Sequence, residues 1–162
     1  MQVEILVADY ANPDHCRDLV DLLDQYARNP MGGGAPLSDE VKANLPSELA
    51  SRPSALSLLC YVNGAPAGLL NGFEGFSTFA CKPLINIHDI VVLKEFRGFG
   101  ISQQLLTRLE EIARDRGCCK LTLEVLQGNE VAANAYRKFG FKGYELDPAM
   151  GQALFWQKLI RD

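Results

Sequence analysis

Apolar residues in the first part of the chain change from a strand pattern to a helix pattern. Residues 2–9 are apolar enough for an opening strand, and Asn12-Pro13 then offers a helix cap followed by proline at the first helical position. Asn29-Pro30 ends the predicted helix. The apolar positions that recur at helical spacing between these signals are Cys16, Leu19, Val20, Leu23, Tyr26 and Ala27.

A glycine-rich segment separates this helix from a second one. Residues 31–36 include Gly32-Gly33-Gly34 and predict a flexible loop. Ser38 then starts a helix, and we expect Pro46 to kink or split it because proline lacks a backbone N–H. The apolar face of this second helix is formed by Val41, Leu45 and Leu49.

The middle of the chain has the pattern of consecutive strands. Residues 55–62 predict a strand, Asn63-Gly64 is a strong hairpin signal, and residues 66–73 return as the partner strand. Residues 84–93 predict a further strand that is nearly all apolar, and its polar members are Asn86, His88 and Asp89.

The second half begins with a clear amphipathic helix, which we expect Gly117 to end. Its apolar stripe is Ile101, Leu105, Leu109 and Ile112. The remaining predicted elements are a strand at 120–126, a short helix at 130–139 stopped by Gly140, and two final strands at 141–145 and 153–160. This order of elements predicts a single α/β domain over residues 1–162 with a mixed sheet.

Charge and composition narrow the classes of function. With 16 Lys+Arg against 20 Asp+Glu, the net charge of −4 disfavours general nucleic-acid binding and suits a cationic small-molecule substrate. No apolar run approaches the roughly 20 residues that span a bilayer, and no basic region precedes the apolar N-terminal stretch, so we expect neither a membrane segment nor a signal peptide. Five cysteines without a Cys-x-x-Cys pair, and only two histidines, predict no metal site and a reduced, cytoplasmic protein.

The turn before the amphipathic helix has the chemistry of an anion site. In Arg97-Gly98-Phe99-Gly100-Ile101-Ser102, the glycines permit close backbone approach, the helix start supplies N–H groups and Arg97 adds positive charge. A pyrophosphate would fit, although a plain tight turn explains these residues equally well when they are taken alone. A Walker loop is excluded because no Gly-Lys-Ser/Thr occurs, and a Rossmann fingerprint because Gln103 replaces its third glycine.

A second motif lies downstream, with the pattern Asn129-x-x-Ala132-x-x-x-Tyr136-x-Lys138-x-Gly140-Phe141. Together with Val92-x-x-x-x-Arg97-Gly98-x-Gly100-Ile101, it resembles the GCN5-related N-acetyltransferase (GNAT) superfamily. Ser102 stands where this family commonly has Gly or Ala, but it is small and keeps its N–H. The resemblance implies an α/β (α+β) fold with a mixed, mostly antiparallel central sheet, splayed parallel strands 4 and 5, and about four flanking helices.

The resemblance implies acetyl-CoA as the acetyl donor, bound where the strands at 84–93 and 120–126 splay apart. The backbone that pairs with the pantetheine arm and polarises the thioester carbonyl would be that of Ile90, Val91 and Val92. The pyrophosphate loop would be formed by Arg97, Gly98, Phe99, Gly100, Ile101, Ser102 and Gln103. Asn129 matches the position that hydrogen-bonds pantetheine, and it also suits a helix N-cap, so both roles can hold together.

Four residues are candidates for the proton transfers. Tyr136 matches the family's general acid for the CoA thiolate, with core packing as the alternative role. His88 is the preferred general base because imidazole titrates near neutral pH. In the absence of a bulge, strand alternation sends His88 and Asp89 to opposite faces, so only one of them would face the substrate. Glu124, on the neighbouring predicted strand, is a further candidate.

Only a short segment of the sequence bears on the identity of the acetyl acceptor. Residues 75–92 are similar to the diamine and polyamine acetyltransferases, although His88 stands where that group usually has an acid. The resemblance implies transfer to a primary amine of a small molecule, such as a polyamine, diamine or amino acid, by direct attack in a ternary complex. The alternatives are a CoA-binding sensor without turnover and a protein-directed acyltransferase.

The partner expectations concern the acceptor loop and the oligomeric state. The glycine loop either closes on the acceptor or simply connects the two helices. We expect a homodimer and no nucleic-acid or membrane partner. The C-terminal strand offers apolar material for dimerisation in Phe155, Trp156 and Leu159.

Overall fold

The computed structural model describes residues 1–160, which form two compact units. The first unit is Met1–Leu123, and the second begins at Glu124. The strands are β1 Val3–Val7, β2 Ala55–Val62, β3 Ala65–Ser77, β4 Lys82–Val92 and β5 Leu121–Leu123. The α-helices are α1 Pro13–Arg28, α2 Asp39–Ala50, α3 Ile101–Asp115 and α4 Glu130–Phe139.

The two helices that follow β1 have the predicted caps. Asn12 caps α1 by accepting from the N–H groups of Asp14 and His15, and Ser38 caps α2 by accepting from the N–H of Val41. The alternative that Pro46 splits the second helix is wrong, since α2 runs through it without a break. A proline removes only one intrahelical N–H, and the helix retains its remaining bonds and the packing of buried Leu49.

The sheet has the strand order β1-β2-β3-β4-β5 and is antiparallel except for the β4–β5 pair. The Asn63-Gly64 hairpin is confirmed, and both turn residues have positive φ, 49° and 81°, as a type I′ turn requires. The strand after this turn extends to Ser77, beyond the predicted end at residue 73. The mixed, mostly antiparallel sheet expected from the sequence is therefore confirmed.

Each face of the sheet is covered by a different part of the chain. One face packs against α1 and α2 through a cluster that includes Leu19, Leu22, Leu59 and Val91. The other face receives α3 closely, because a Cβ added to Gly68 would lie 3.3 Å from Ile101 Cγ2 and 3.4 Å from Leu105 Cδ1. The buried residues of α3 are Ile101, Leu105, Leu106, Leu109 and Ala113.

A β-bulge interrupts the pairing of β3 with β4. Asn71 pairs with Asp89 while Gly72 pairs with Ile87, so His88 is an extra residue in β4. Before the bulge, Ile85 lies beside Gly72 on the α3 face, whereas Val91 after the bulge belongs to the α1 cluster. The bulge thus exchanges the faces to which odd and even residues of β4 point.

Beyond the bulge, β4 continues without a paired fifth strand. The parallel pairing comprises Ile85–Leu121, Asn86–Thr122 and Ile87–Leu123, after which β5 ends while β4 continues to Val92. The predicted strand at 120–126 is therefore too long. The pairing between strands 4 and 5 therefore ends at the bulge.

The second unit contains α4, which has the predicted bounds. Asn129 caps it through the N–H of Ala132, and Gly140 follows it with φ 115°. The two final strands predicted at 141–145 and 153–160 are not formed in the described chain, where one antiparallel bridge joins Glu145 to Gln152. Between the two bridged residues, Asp147 caps a 3₁₀ helix at Pro148–Met150. The two segments on either side of this turn are joined by the single bridge and do not form a longer series of strand hydrogen bonds.

Within residues 1–160, every helix is too short or too polar to cross a membrane. The described residues also contain no group of three or more His, Cys, Asp or Glu side chains arranged for a metal ion.

Candidate active site

The N-terminus of α3 is built to receive an anion. Gly100 is its N-cap residue with φ 75°, and no side chain caps the helix. Gly98 also has positive φ, 85°, and open space surrounds the position of an added Cβ at both glycines. N–H groups of the first helical turn lack intrahelical acceptors and carry the positive end of the helix dipole. The loop therefore fits the pyrophosphate of a CoA molecule.

Arg97 is anchored beside this helix start. Its Nε donates to the carbonyl oxygen of Val92 at 3.1 Å, and the side chain is exposed. The bond ties the guanidinium to the end of β4, so the positive charge is held next to the loop. Ser102 and Gln103 lie in the first turn of α3, and Ile101 is buried beneath it. Phe99 between the two glycines is exposed.

The end of β4 turns part of its backbone away from β3. Leu93 N–H donates to Ala67 O at 2.9 Å, so the odd positions at this end of β4 bond toward β3. Because antiparallel strands alternate bonded and non-bonded positions, Ile90 and Val92 direct their N–H and C=O groups to the opposite edge, while Val91 bonds toward β3. β5 has already ended there. The N–H and C=O of Ile90 and the N–H of Val92 can therefore pair with an extended ligand, whereas the Val92 carbonyl already accepts from Arg97 Nε.

His88 and Asp89 lie on the same face of the sheet, contrary to the alternation expected in the absence of a bulge. The bulge brings His88 Nδ1 to 3.3 Å from Asp89 Oδ1. The imidazole also meets the Phe73 ring edge-on, at a centroid distance of 6.0 Å. The His88 side chain is 64% exposed and that of Asp89 only 18%, so the imidazole is the accessible member of the pair.

A line of polar side chains runs behind Asp89. Asn71 Nδ2 donates to Asp89 Oδ2 at 3.1 Å, Ser57 Oγ donates to Asn71 Oδ1 at 2.6 Å, and the Tyr10 hydroxyl lies 2.9 Å from Ser57 Oγ. The sequence analysis missed all three of these residues. The available signal was two small polar residues, Ser57 and Asn71, within otherwise apolar strands.

Two tyrosines near this line are held neutral. Burial and the negative charge of Asp89 raise the pKa of Tyr26 above its usual value. Burial also raises the pKa of Tyr10, against the opposing effect of its hydrogen bond to Ser57. Both phenols are therefore available as neutral hydrogen-bonding groups across the physiological range.

The glycine loop between α1 and α2 contains a hydrogen-bonded turn. Pro30–Gly32 forms a 3₁₀ helix capped by Asn29, and Gly34 N–H donates to Ala27 O at 2.9 Å. An added Cβ at Gly32 would overlap the carbonyl of Tyr26. Gly32 is therefore closely packed on the end of α1, whereas open space surrounds the Cβ positions of Gly33 and Gly34.

The second unit holds the other predicted site residues. Asn129 Oδ1 accepts from Ala132 N at 3.3 Å, which confirms its role as a helix cap. Tyr136 is half-buried in α4, and its ring lies 6.0 Å from that of Phe141. Glu124 is exposed and follows the end of β5, so the prediction that it lies on that strand is wrong.

Comparison with known sequences identifies a family match over most of the chain. The model of the acetyltransferase (GNAT) family matches residues 17–141. Streptothricin acetyltransferase of Streptomyces lavendulae is 40% identical over 85 residues, which are 52% of this chain and 45% of that protein. Thialysine N-epsilon-acetyltransferase of Bos taurus is 39% identical over 56 residues, which are 35% of this chain and 33% of that protein. The matched segments thus span less than half of these two relatives.

Comparison with solved structures supports the fold. A probable acetyltransferase superposes with a TM-score of 0.78 at 20% identity, covering 100% of this chain and 99% of the other. An aminoglycoside N-acetyltransferase in complex with CoA superposes with a TM-score of 0.75 at 19% identity, covering 97% of this chain and 95% of the other.

Proposed function

Because this chain belongs to the acetyltransferase (GNAT) family, whose acetyl donor is acetyl-CoA, we propose that it transfers an acetyl group to a primary amine of a small molecule. The observation that carries the proposal is one strand–turn–helix segment of the first unit. The His88–Asp89 pair, the outward backbone of Ile90 and the uncapped start of α3 follow one another there.

The names of the relatives support an amine as the acceptor. Streptothricin acetyltransferase matches 85 residues of this sequence and thialysine N-epsilon-acetyltransferase matches 56. The partly exposed carboxylate of Asp89 adds a negative charge that favours a cationic amine near His88. Polyamines, diamines and amino acids with a free amine are the acceptor classes we propose.

The donor would lie along the end of β4 and the α3 turn. The backbone N–H and C=O of Ile90 and the N–H of Val92 pair with the pantetheine arm, and Val91 between them holds the strand to β3. The N–H groups from Gly98 to Gln103, together with Arg97, hold the pyrophosphate. The resemblance to GNAT enzymes adds Asn129 as a hydrogen-bonding partner of pantetheine.

The proposed reaction is a direct attack in a ternary complex. His88 Nε2 takes a proton from the acceptor ammonium, and the freed amine forms a C–N bond with the thioester carbonyl. The Ile90 N–H stabilises the negative charge that develops on the carbonyl oxygen. The C–S bond then breaks, and Tyr136, the general acid that the resemblance to GNAT enzymes implies, protonates the departing CoA thiolate. The excess proton on the new amide nitrogen is released to solvent as the intermediate collapses, and the Tyr136 phenolate is reprotonated from solvent, so that the net proton of the reaction is the one taken by His88. Glu124 is retained as an alternative base.

A thiol-release assay tests the proposed function. We would incubate the protein with acetyl-CoA and a panel containing polyamines, amino acids, thialysine, streptothricin, aminoglycosides and lysine peptides. We expect amine-dependent release of CoA, with intersecting initial-velocity lines as a ternary complex requires. Acetyl-CoA binding without release on any amine would favour the sensor alternative, and activity confined to peptides would favour the protein-directed one.

Paired variants test the proton-transfer roles. His88→Ala should remove the acidic limb of the pH–rate profile, whereas His15→Ala, which changes the other histidine, should retain it. Tyr136→Phe should lower kcat about 10²- to 10⁴-fold with little change in acetyl-CoA binding. Tyr144→Phe, in the same unit and outside the family motif, is its control. An unaltered kcat in Tyr136→Phe, with chemistry rate-limiting, would exclude Tyr136 as the acid.

We further propose that residues 1–162 act as one GNAT domain and that the chain forms a homodimer. Light scattering over a range of protein concentrations measures the mass in solution directly. A monomer mass at all concentrations would exclude the dimer.

A further inference from the structure

The polar line behind Asp89 crosses three neighbouring strands at the same level. Ser57 on β2 pairs with Asn71 on β3, and Asn71 pairs with Asp89 on β4. Ser57 is only 1% exposed and Asn71 only 4%, in a region where most inward positions are apolar. Burying such groups is unfavourable unless they are hydrogen-bonded to one another. The three side chains are therefore a connected network.

The hydrogen bonds of this network all run in one direction. Ser57 donates its single hydroxyl proton to Asn71 Oδ1, so the bond between Ser57 and Tyr10 must be donated by the tyrosine. Asn71 Nδ2 then donates to Asp89 Oδ2. Reversing the Asn71 amide would place its oxygen against the Asp89 carboxylate and its NH₂ against the Ser57 hydroxyl. With Asp89 ionised, only the observed orientation satisfies both ends.

The network leaves one carboxylate oxygen for His88. Asp89 Oδ2 is occupied by Asn71, and Oδ1 faces His88 Nδ1. Because an ionised carboxylate only accepts hydrogen bonds, Nδ1 must carry the proton. Neutral His88 therefore holds an unprotonated Nε2, which is the nitrogen that can accept a proton from another molecule.

We propose that Asn71 is a positioning residue, backed by Ser57 and Tyr10, that fixes the Asp89 carboxylate and thereby holds His88 as its Nδ1–H tautomer. Its consequence for catalysis rests on the proposed function, in which His88 Nε2 is the base. Asn71 gives up no proton, because an amide N–H is not acidic at neutral pH. The network thus sets geometry and charge and does not conduct protons. Tyr26 also faces Asp89 and stays neutral there.

Imidazole nitrogen NMR tests the tautomer without any turnover. The chain has two histidines, and His15 is an internal reference of opposite type, since its Nδ1 accepts the Asp9 N–H at 3.0 Å. Long-range ¹H–¹⁵N spectra above the pH of imidazole titration should show Nδ1–H for His88 and Nε2–H for His15. A His15→Gln variant assigns the signals. His88 in the Nε2–H form would overturn the proposal.

Two variants perturb the network at different depths. Asn71→Leu removes both of its central bonds and should reduce the Nδ1–H population of His88. It should lower kcat about 10- to 100-fold while leaving the KM for acetyl-CoA within about twofold. Tyr10→Phe removes only the hydroxyl at the far end of the network, so we expect it to fold even if Asn71→Leu does not. It should change the His88 signals in the same direction as Asn71→Leu, but by a smaller amount.

Tyr61→Phe is the matched control. It also removes a hydrogen-bonded tyrosine hydroxyl, since Tyr61 donates to Asp18 Oδ2 at 2.7 Å, but Tyr61 lies outside the network. We expect unchanged His88 signals in this variant. Equal changes in Tyr10→Phe and Tyr61→Phe, or none in Asn71→Leu and Tyr10→Phe, would overturn the proposal. Absence of acetyl transfer with the predicted spectra would count against the proposed function alone.

Discussion

Gly68 allows the start of α3 to approach the sheet, and a single methyl group tests that contact. In Gly68→Ala, the new Cβ would lie 3.0 Å from Val91 O, 3.3 Å from Ile101 Cγ2 and 3.4 Å from Leu105 Cδ1. Val91 O belongs to the sheet backbone and Ile101 is the first residue of α3. Relief of the strain therefore requires β4 to shift away from β3 at Val91 and the start of α3 to shift away from the sheet. These are the two elements proposed to bind acetyl-CoA.

The magnitude follows from two opposing effects. Overpacking a close contact destabilises a protein by about 1–3 kcal/mol. Replacing glycine by alanine at a compatible backbone position stabilises by about 0.4–1 kcal/mol, because the unfolded chain loses freedom. The balance is a loss of about 1 kcal/mol, within a range of roughly 0–2.6 kcal/mol. For a chain of this size each kcal/mol lowers Tm by about 2–4 °C.

Gly75→Ala is the control on the same strand. Its added Cβ would meet Leu84 Cδ1 at 3.5 Å, which is an ordinary contact, so this variant carries the unfolded-state effect without the crowding. Thermal unfolding should give a lower Tm for Gly68→Ala than for Gly75→Ala, and calorimetry should give weaker acetyl-CoA binding. Equal Tm values and equal affinities in the two variants would refute the argument.

Three further predictions concern other parts of the first unit. Gly100 and Gly117 lie at opposite ends of α3 with φ 75° and 73°, so alanine at either position should lower stability by about 1–2 kcal/mol, but calorimetry should find weaker CoA binding only for Gly100→Ala. Burial alone would raise the pKa of Asp24, but its hydrogen bonds to three neighbouring donors lower the pKa below its ordinary value. Asp24→Asn should therefore lower Tm most near neutral pH, and the difference from wild type should vanish as the pH falls through the folded-state pKa. Burial raises the pKa of Cys60 to about 11, so a thiol reagent at pH 8 should modify exposed Cys81 rapidly and Cys60 only after unfolding, as peptide mapping would show.

The elements that carry local signals were predictable from the sequence. The Asn63-Gly64 turn requires positive φ at both positions, and few other residues adopt it as readily, so the dipeptide identified the hairpin. The helix at Glu130–Phe139 has Asn129 before it and Gly140 after it, and its bounds matched the prediction. In both cases the decisive interaction lies within a few residues along the chain.

The geometry around the candidate base was not predictable in the same way. The bulge at His88 depends on how β3 and β4 pair, and the residues of β4 fit an unbroken alternation equally well. Ser57 and Asn71 are fourteen positions apart in sequence, and only the strand register places them side by side. Their roles depend on pairing between strands, which no local spacing reveals.

The bulge places one extra residue in β4, and this residue changes which face of the sheet each later side chain of the strand reaches. Before His88 the odd-numbered residues of β4 pack on the α3 side of the sheet, and after it they pack on the α1 side. The odd-numbered residues of this one strand therefore contribute to two different cores. Removing one residue here would therefore do far more than delete an imidazole, because it would turn Ile85 and Ile87 out of the packing they complete. A sequence alignment with a relative that lacks the bulge needs a one-residue gap at His88. Without that gap, the alignment equates side chains that point to opposite faces of the sheet.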